Sequence, residues 1–456
     1  MLKINQQIFK AYDIRGIYHK DFDDNLAFLL GQAFVRLINK DLQSKKKSLK
    51  IGLAYDMRLS SPALRKQLIK GLKEAGADVV DLGLIATPTF YFAISKYKYD
   101  GGIIISASHN PGKWNGFKLV RGGSKPITDL SGINFLRDEI EKNDFVPAKK
   151  KGLLTKNNNA SKDSLEFVLS FLKKDKLKEL KIVADTANGM GAVYLKSLFK
   201  ALKINFFPLN FKLDGTFPAH EADPLKEENT KELREAVLEH GADLGIATDG
   251  DGDRVFFIDN KGETVPPGIT RGLLAKLFLQ GRAGAKIGYD VRPGRITQDL
   301  ILENKGIPVV TRVGHSLIKE QMIKEGIYFA AEFSGHFYLN TKFGCYEYPE
   351  IVIIKLLEHL SKTKKPLAEI IEPYKKYFSS GEINKDVANK DEVLNRIKKK
   401  HQKAQISLLD GVSVDYKNYW FNVRASNTEN KIRLNLEAVD EKTMKEKTKE
   451  VLSLIY

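Results

Sequence analysis

Along this chain a short apolar run repeatedly ends in a loop that carries a carboxylate. Lys50-Ile51 opens a run leading to Asp56, Lys181-Ile182 one leading to Asp185, and Lys286-Ile287 one leading to Asp290. Brief apolar runs of this kind predict buried strands. Helical periodicity follows each one, clearest where Leu64, Leu68, Ile69, Leu72 and Ala75 fall on a single face. Strand, loop and helix in alternation predict a mixed or parallel α/β sheet, and three similar α/β domains in tandem account for the recurrence. Further strands are predicted at 101–105, 245–247, 255–258 and 327–330. Beyond about residue 370 the pattern changes. A helix at 391–401 precedes apolar stretches at 406–409, 419–423 and 432–436 and a charged helix running to Tyr456, which predicts a small α+β domain.

Boundaries fall in the polar stretches 147–159, 259–263 and 372–381. They divide the chain into domains at 1–152, 153–258, 259–370 and 371–456. With 456 residues and 42% hydrophobic composition, several domains can each bury a core. The single cysteine, Cys345, excludes an intrachain disulfide and fits a reducing compartment. The opening residues lack a long apolar core and no run is long enough to span a bilayer, so a soluble cytoplasmic protein is expected, with no membrane partner. The formal charge of +17 raises the alternative of a polyanion- or nucleic-acid-binding protein. Its lysines, however, sit in separate short runs such as 45–47, 149–151 and 398–400, away from the aromatic residues that a stacking platform needs. Attraction of anionic sugar phosphates explains the excess equally well.

Asp249-Gly250-Asp251-Gly252-Asp253-Arg254 concentrates negative charge between two apolar strands. Alternate side chains of an extended segment share one side, so Asp249, Asp251 and Asp253 are expected to converge on a hard divalent cation such as Mg²⁺ or Ca²⁺. An EF-hand is disfavoured, because the places that require Gly and Glu hold Arg254 and Asn260.

Ser106-Ala107-Ser108-His109-Asn110-Pro111 follows the strand at 101–105, where α/β proteins place ligand loops. Ser108 is a candidate nucleophile. The sequence lacks the Gly-x-Ser-x-Gly elbow of a hydrolase, and His109, as the adjacent residue, is expected to be poorly placed as a direct base. A phosphoserine whose oxygen completes a Mg²⁺ shell fits better. Arg424-Ala425-Ser426-Asn427-Thr428-Glu429 offers a guanidinium, hydroxyls, an amide and backbone N–H groups, which is the chemistry of a phosphate cradle. Glu332, Ser334 and His336 alternate along what reads as an extended segment and supply the donors and acceptors that a polyol needs.

Together these loops resemble those of the α-D-phosphohexomutase superfamily, the phosphoglucomutases and phosphomannomutases, over nearly the whole chain. Residues 106–111 are similar to its phosphoserine loop, 249–254 to its metal loop, 332–336 to its sugar loop and 424–429 to its phosphate loop. Ala11-Tyr12-Asp13-Ile14-Arg15-Gly16, Asn115-Gly116-Phe117-Lys118 and Gly314-His315-Ser316 add to the likeness. Departures stand at Ala331, Asn430 and Arg292, where the family usually has Gly, Pro and Lys.

The resemblance implies four domains around a central cleft, each giving one loop. It implies reversible interconversion of hexose 1- and 6-phosphates of mannose or glucose, through a phosphoserine and a bound 1,6-bisphosphate. Ser108 would be the nucleophile, and Asp249, Asp251, Asp253 and Ser108 would hold Mg²⁺. Arg254 would assist, and Lys118, His109 and His336 are the candidates for proton exchange, Lys118 needing a lowered pKa to act as base. Tyr12, Arg15, Arg292, His315, Glu332, Ser334, His336, Arg424, Ser426, Asn427 and Thr428 would bind substrate. A hexose 1,6-bisphosphate would serve as activator, and a monomer or weak homodimer is expected. Phosphoglucosamine mutase is the alternative, although its phosphate loop usually reads Ser-Gly-Thr-Glu-Pro.

Overall fold

The apolar run after Lys50 becomes strand Lys50–Tyr55, and Leu64, Leu68 and Leu72 form the buried stripe of helix Ser61–Glu74. The computed structural model describes residues 3–43, 48–173, 177, 179–425 and 430–455, so the lysine run at 45–47 and Ser426, Asn427, Thr428 and Glu429 lie outside the described residues. The chain divides into two units, one of residues 1–264 and 335–367, the other of 265–334 and 368–456.

In the first unit, one sheet runs in the order Ile14–Ile17, Trp114–Arg121, Gly101–Ile105, Lys50–Tyr55, Asp78–Leu84 and Leu154–Lys156. Its last four strands are parallel, while Trp114–Arg121 is antiparallel to both neighbours. Gly101–Ile105 is buried along its whole length, as an apolar run covered on both faces should be. Its C-terminal end therefore delivers Ser106 and Ser108 at the sheet's carboxyl edge. The stretch expected as linker, 147–159, contributes strand Leu154–Lys156 to this sheet. A second sheet, in the order Val255–Ile258, Leu244–Thr248, Ile182–Asp185 and Phe206–Leu209, carries the acidic loop between its first two strands.

Within the second unit, Ile307–Thr311, Lys286–Asp290 and Phe329–Ala331 pair in parallel. Helix Arg295–Glu303 follows the third of the repeated strands. The C-terminal segment is α+β, an antiparallel sheet in the order Phe378–Asp386, Lys431–Ala438, Tyr419–Ala425, Val412–Asp415 and Gln405–Ser407. Val414, Phe421, Val423, Ile432, Leu434 and Leu436 pack there with Val393 and Ile397 of helix Lys390–Lys400 and with Val451. The fold is thus three similar α/β domains with mixed sheets and a C-terminal α+β domain. Among the described residues no helix is long and apolar enough to cross a membrane.

One buried acid of the first unit stands outside the predicted chemistry. Glu350, in the first turn of helix Pro349–Thr363, is pushed up to about 7 by burial. A carboxyl raised in the fold is most favourable while protonated, so this contribution is complete below the unfolded value near 4.5 and is lost as pH rises through 7. Glu350→Gln is therefore expected to stabilise the protein at pH 8 by up to about 3 kcal/mol and to make no difference at pH 4. Urea unfolding at the two pH values checks this.

Candidate functional site

Ser108 sits 2% exposed at the end of its strand, with a left-handed φ of 50°. Its N–H donates to Ser106 Oγ at 3.0 Å, and its Oγ donates to Asp249 Oδ2 at 2.7 Å. The candidate nucleophile is thereby tied directly to the acidic loop, 141 positions away in sequence. The left-handed turn also brings His109 Nδ1 to 3.4 Å from Ser108 Oγ, closer than adjacency suggests. Burial, and then the positive charges of Arg254 and Arg15, push the His109 imidazole well below its ordinary value.

Asp249, Asp251 and Asp253 are all buried, and one oxygen of each lies within 4.8 Å of the others. They converge through a turn and not through the expected extended alternation. Gly252 has a φ of 74°, which an L side chain rarely adopts, and the chain folds back at this point. At Gly250 the two loops touch: a Cβ would lie 2.4 Å from the Ser108 carbonyl oxygen. Only glycine permits that approach.

Asp249 Oδ1 accepts from the N–H groups of Asp253 and Arg254, both at 3.1 Å. Asp251 Oδ2 accepts from Thr87 Oγ1 at 2.6 Å and Lys118 Nζ at 2.5 Å, while its Oδ1 is buried without a hydrogen-bond partner among the described residues. Three buried carboxylates with an orphaned oxygen form a donor set that suits a hard divalent cation. Their mutual repulsion is visible in Asp249, which burial, then Asp253 and Asp251, push up to about 8.

Lys118 departs from expectation. Burial pulls its pKa down, but Asp251 and Asp253, at 2.5 and 2.6 Å, outweigh burial and hold it well above the ordinary lysine value. Held between these two carboxylates, Lys118 is placed as a cation and donor.

Arg254 Nε donates to His336 Nε2 at 3.3 Å and stands 3.7 Å from Asp249 Oδ2. The same His336 nitrogen is 3.3 Å from Asp253 Oδ1, and buried Glu347 completes with Asp253 and His336 a second cluster of side chains of metal-ligating type. Arg15 joins the Ser108 loop by donating to Asn110 Oδ1 at 2.9 Å, and it pairs with Asp13 at 2.6 Å. Tyr12 lies close enough to influence Arg15 electrostatically.

In the second unit Asp290 is a hub. It accepts from Arg271 Nη1 at 3.0 Å, from Arg292 Nη2 at 2.6 Å and from the Phe333 N–H at 2.8 Å. Arg292 Nη2 also reaches Glu332 Oε1 at 3.0 Å, and that oxygen takes the Gly314 N–H at 3.2 Å. Residues 333–335 form a turn, with Gly335 at a φ of 87°, so the expected alternation of Glu332, Ser334 and His336 along a strand is not observed. Glu332 and Ser334 belong to the second unit and His336 to the first. His315 begins helix His315–Glu325, largely buried, with Nδ1 3.4 Å from Ser316 Oγ. Arg424 Nη2 donates to Glu382 Oε2 at 2.6 Å.

Sequence reading missed Arg58, Thr87, Arg271, Glu347 and Glu382. A signal existed for the first. Asp56-Met57-Arg58 and Asp290-Val291-Arg292 stand at equivalent places after repeated strands, and in both the Asp Oδ1 accepts the Arg N–H, at 3.0 and 2.9 Å.

Residues 6–146, 162–262 and 270–377 match, in order, the phosphoglucomutase/phosphomannomutase alpha/beta/alpha domains I, II and III, and residues 382–454 match the C-terminal domain of the same family. The chain belongs to the phosphoglucomutase/phosphomannomutase family. Among its curated relatives is a phosphomannomutase of Methanocaldococcus jannaschii, 38% identical over 450 residues, covering 98% of this chain and 97% of that protein. A phosphomannomutase of Escherichia coli K12 is 35% identical, with 98% of each covered. In three dimensions, a phosphoglucomutase/phosphomannomutase family protein from Burkholderia thailandensis superposes with a TM-score of 0.90 at 29% identity, covering 99% of this chain and 98% of that one. Membership makes the chain an enzyme of the phosphotransferring mutase class.

Proposed function

We propose that the enzyme reversibly interconverts the 1- and 6-phosphates of a hexose, mannose or glucose, with Ser108 as the phosphoryl carrier. The observation that carries this reading is the 2.7 Å bond from Ser108 Oγ to Asp249, inside a buried set of three carboxylates. Support for the substrate class comes from the relatives named phosphomannomutase.

Phosphorylated Ser108 gives its phosphoryl group to the free sugar hydroxyl: the P–O bond to Ser108 Oγ breaks, one to the sugar oxygen forms, and the sugar hydroxyl gives up a proton while the freed Ser108 oxygen gains one. The resulting 1,6-bisphosphate turns end for end, and Ser108 Oγ takes back the other phosphoryl group. No net phosphate is consumed. Asp249, Asp251, Asp253 and a Ser108 phosphate oxygen would hold Mg²⁺, whose charge, when bound, neutralises the transferring group. Arg254 and Lys118 add fixed positive charge beside the same carboxylates. Lys118, His109 and His336 are the candidates for the proton exchange.

Glu332 and Ser334 grip the sugar hydroxyls. Arg424, with Ser426, Asn427 and Thr428, holds the phosphate that is not reacting. That grip is shared by ground and transition states, so Arg424→Ala is expected to raise KM about ten- to a hundredfold with little change in kcat. Steady-state kinetics on glucose 1-phosphate check this.

A coupled assay with mannose 1-phosphate, glucose 1-phosphate and glucosamine 6-phosphate, each with Mg²⁺ and a trace of its bisphosphate, tests the reading. Turnover of the mannose or glucose phosphate with the higher kcat/KM supports it. Preference for glucosamine 6-phosphate would assign the phosphoglucosamine reaction instead, and no turnover of any of them would overturn the proposal.

A further inference from the structure

Arg58 lies wholly outside the residues assigned above to metal, proton transfer or substrate, yet its guanidinium is directed at the Ser108 loop. Its side chain has no exposed surface. One terminal nitrogen, Nη2, donates to the carbonyls of Ser108 at 2.8 Å and Asn110 at 2.6 Å. The other, Nη1, donates to those of Pro111 and Trp114, both at 2.9 Å. Nε stands 3.2 Å from Asp56 Oδ2, and Asp56 Oδ1 takes the Arg58 N–H and the Ser61 hydroxyl. The Phe217 ring closes the other side, 5.0 Å from the guanidinium carbon.

We propose that Arg58 is a positioning residue for phosphoryl transfer: its planar fork fixes the loop 108–114 so that Ser108 keeps its left-handed conformation with Oγ turned to Asp249. A turn whose carbonyls point inward has no ladder to satisfy them. Only a guanidinium offers enough donors in one plane to reach four such oxygens at once, and an ammonium concentrates its donors at one point. The comparison with Arg292 shows that this is a use of the motif and not a fixed consequence of it. Both arginines pair with the Asp two residues earlier, but Arg292 spends its free donor on the Glu332 carboxylate, whereas Arg58 spends all of its terminal donors on backbone. Asn110 links the clamp outward, since its side chain accepts from Arg15 while its carbonyl accepts from Arg58.

The inference rests on Ser108 being the phosphoryl carrier, and its test separates the two. Wild type, Arg58→Lys and Arg58→Gln would be mixed with glucose 1,6-bisphosphate and Mg²⁺, and phosphate on Ser108 followed by quenched flow and intact mass. Glucose 1-phosphate affinity and thermal unfolding would be measured alongside. Arg58→Lys is expected to unfold cooperatively and bind glucose 1-phosphate as wild type does, but to phosphorylate Ser108 about a hundredfold more slowly, the effect of a nucleophile displaced by about an ångström. Arg58→Gln is expected to be slower still. Wild-type transfer in Arg58→Lys would overturn the proposal. So would parallel loss of binding and transfer, or failure of both variants to fold, because each marks a purely structural arginine. A wild-type enzyme that leaves Ser108 unmodified would remove the carrier role, and the positioning role with it.

Discussion

Ser108→Ala is expected to lower kcat by about four orders of magnitude or more while leaving glucose 1-phosphate affinity close to that of the parent enzyme. The substitution removes one atom, the oxygen that would carry the phosphoryl group in both half-reactions of the proposed mechanism. Alanine can occupy the same left-handed turn at a similar cost, and the carbonyl of residue 108 still receives the Arg58 Nη2 donor, so the loop should persist. The lost bond to Asp249 Oδ2 frees a carboxylate oxygen beside Arg254, 3.7 Å away. Binding measured by calorimetry and turnover by the coupled assay separate the two effects. A variant that turns over at the parent rate would show that another group carries the phosphate.

Asp251→Asn should act as strongly through a different route. Asp251 Oδ2 joins Thr87 and Lys118, and its Oδ1 is one of two carboxylate oxygens of the cluster, with Asp253 Oδ1, that have no hydrogen-bond partner among the described residues. An amide of the same shape loses the charge, puts an NH₂ group in place of one acceptor oxygen and leaves Lys118 with Asp253 alone. Mg²⁺ affinity is expected to fall at least about a hundredfold, the upper range seen for groups that merely support a ligand, and kcat with it. The pH dependence gives a second readout. Because burial and the charges of Asp253 and Asp251 push Asp249 up to about 8, protons should compete at neutral pH with a cation held there. Mg²⁺ affinity of the parent enzyme should therefore rise as pH approaches 8. Removing the Asp251 charge lowers the Asp249 pKa, so the rise should shift to lower pH in the variant. Titration calorimetry at several pH values checks both statements. An unaltered Mg²⁺ affinity would exclude Asp251 from the cation site.

Much of the site was legible because its groups lie in short segments beside buried strands. Asp249, Asp251 and Asp253 are separated only by glycines, and Ser108 follows a strand whose apolar run is continuous. The recurrence after Lys50, Lys181 and Lys286 foretold the three α/β domains for the same reason. Local spacing could not reveal contacts made across the fold. Thr87 meets Asp251 over 164 positions, and Arg58 meets the Ser108 loop over 50 to 56. Nor could it give the sign of the Lys118 shift, which depends on whether burial or two neighbouring carboxylates win. The expectation of extended backbone at 249–253 and 332–336 failed at Gly252 and Gly335, where positive φ turns the chain. The convergence predicted at 249–253 is nonetheless present, reached by a turn.

The most direct test of Ser108 as carrier is to incubate the enzyme with glucose 1,6-bisphosphate labelled in its phosphates, quench within one turnover and map the label by peptide mass. Close to one phosphate per chain is expected, on Ser108, and it then passes to unlabelled glucose 1-phosphate when that is added. Isomerisation proceeding with Ser108 unlabelled, or label on another residue that transfers to sugar, would contradict it.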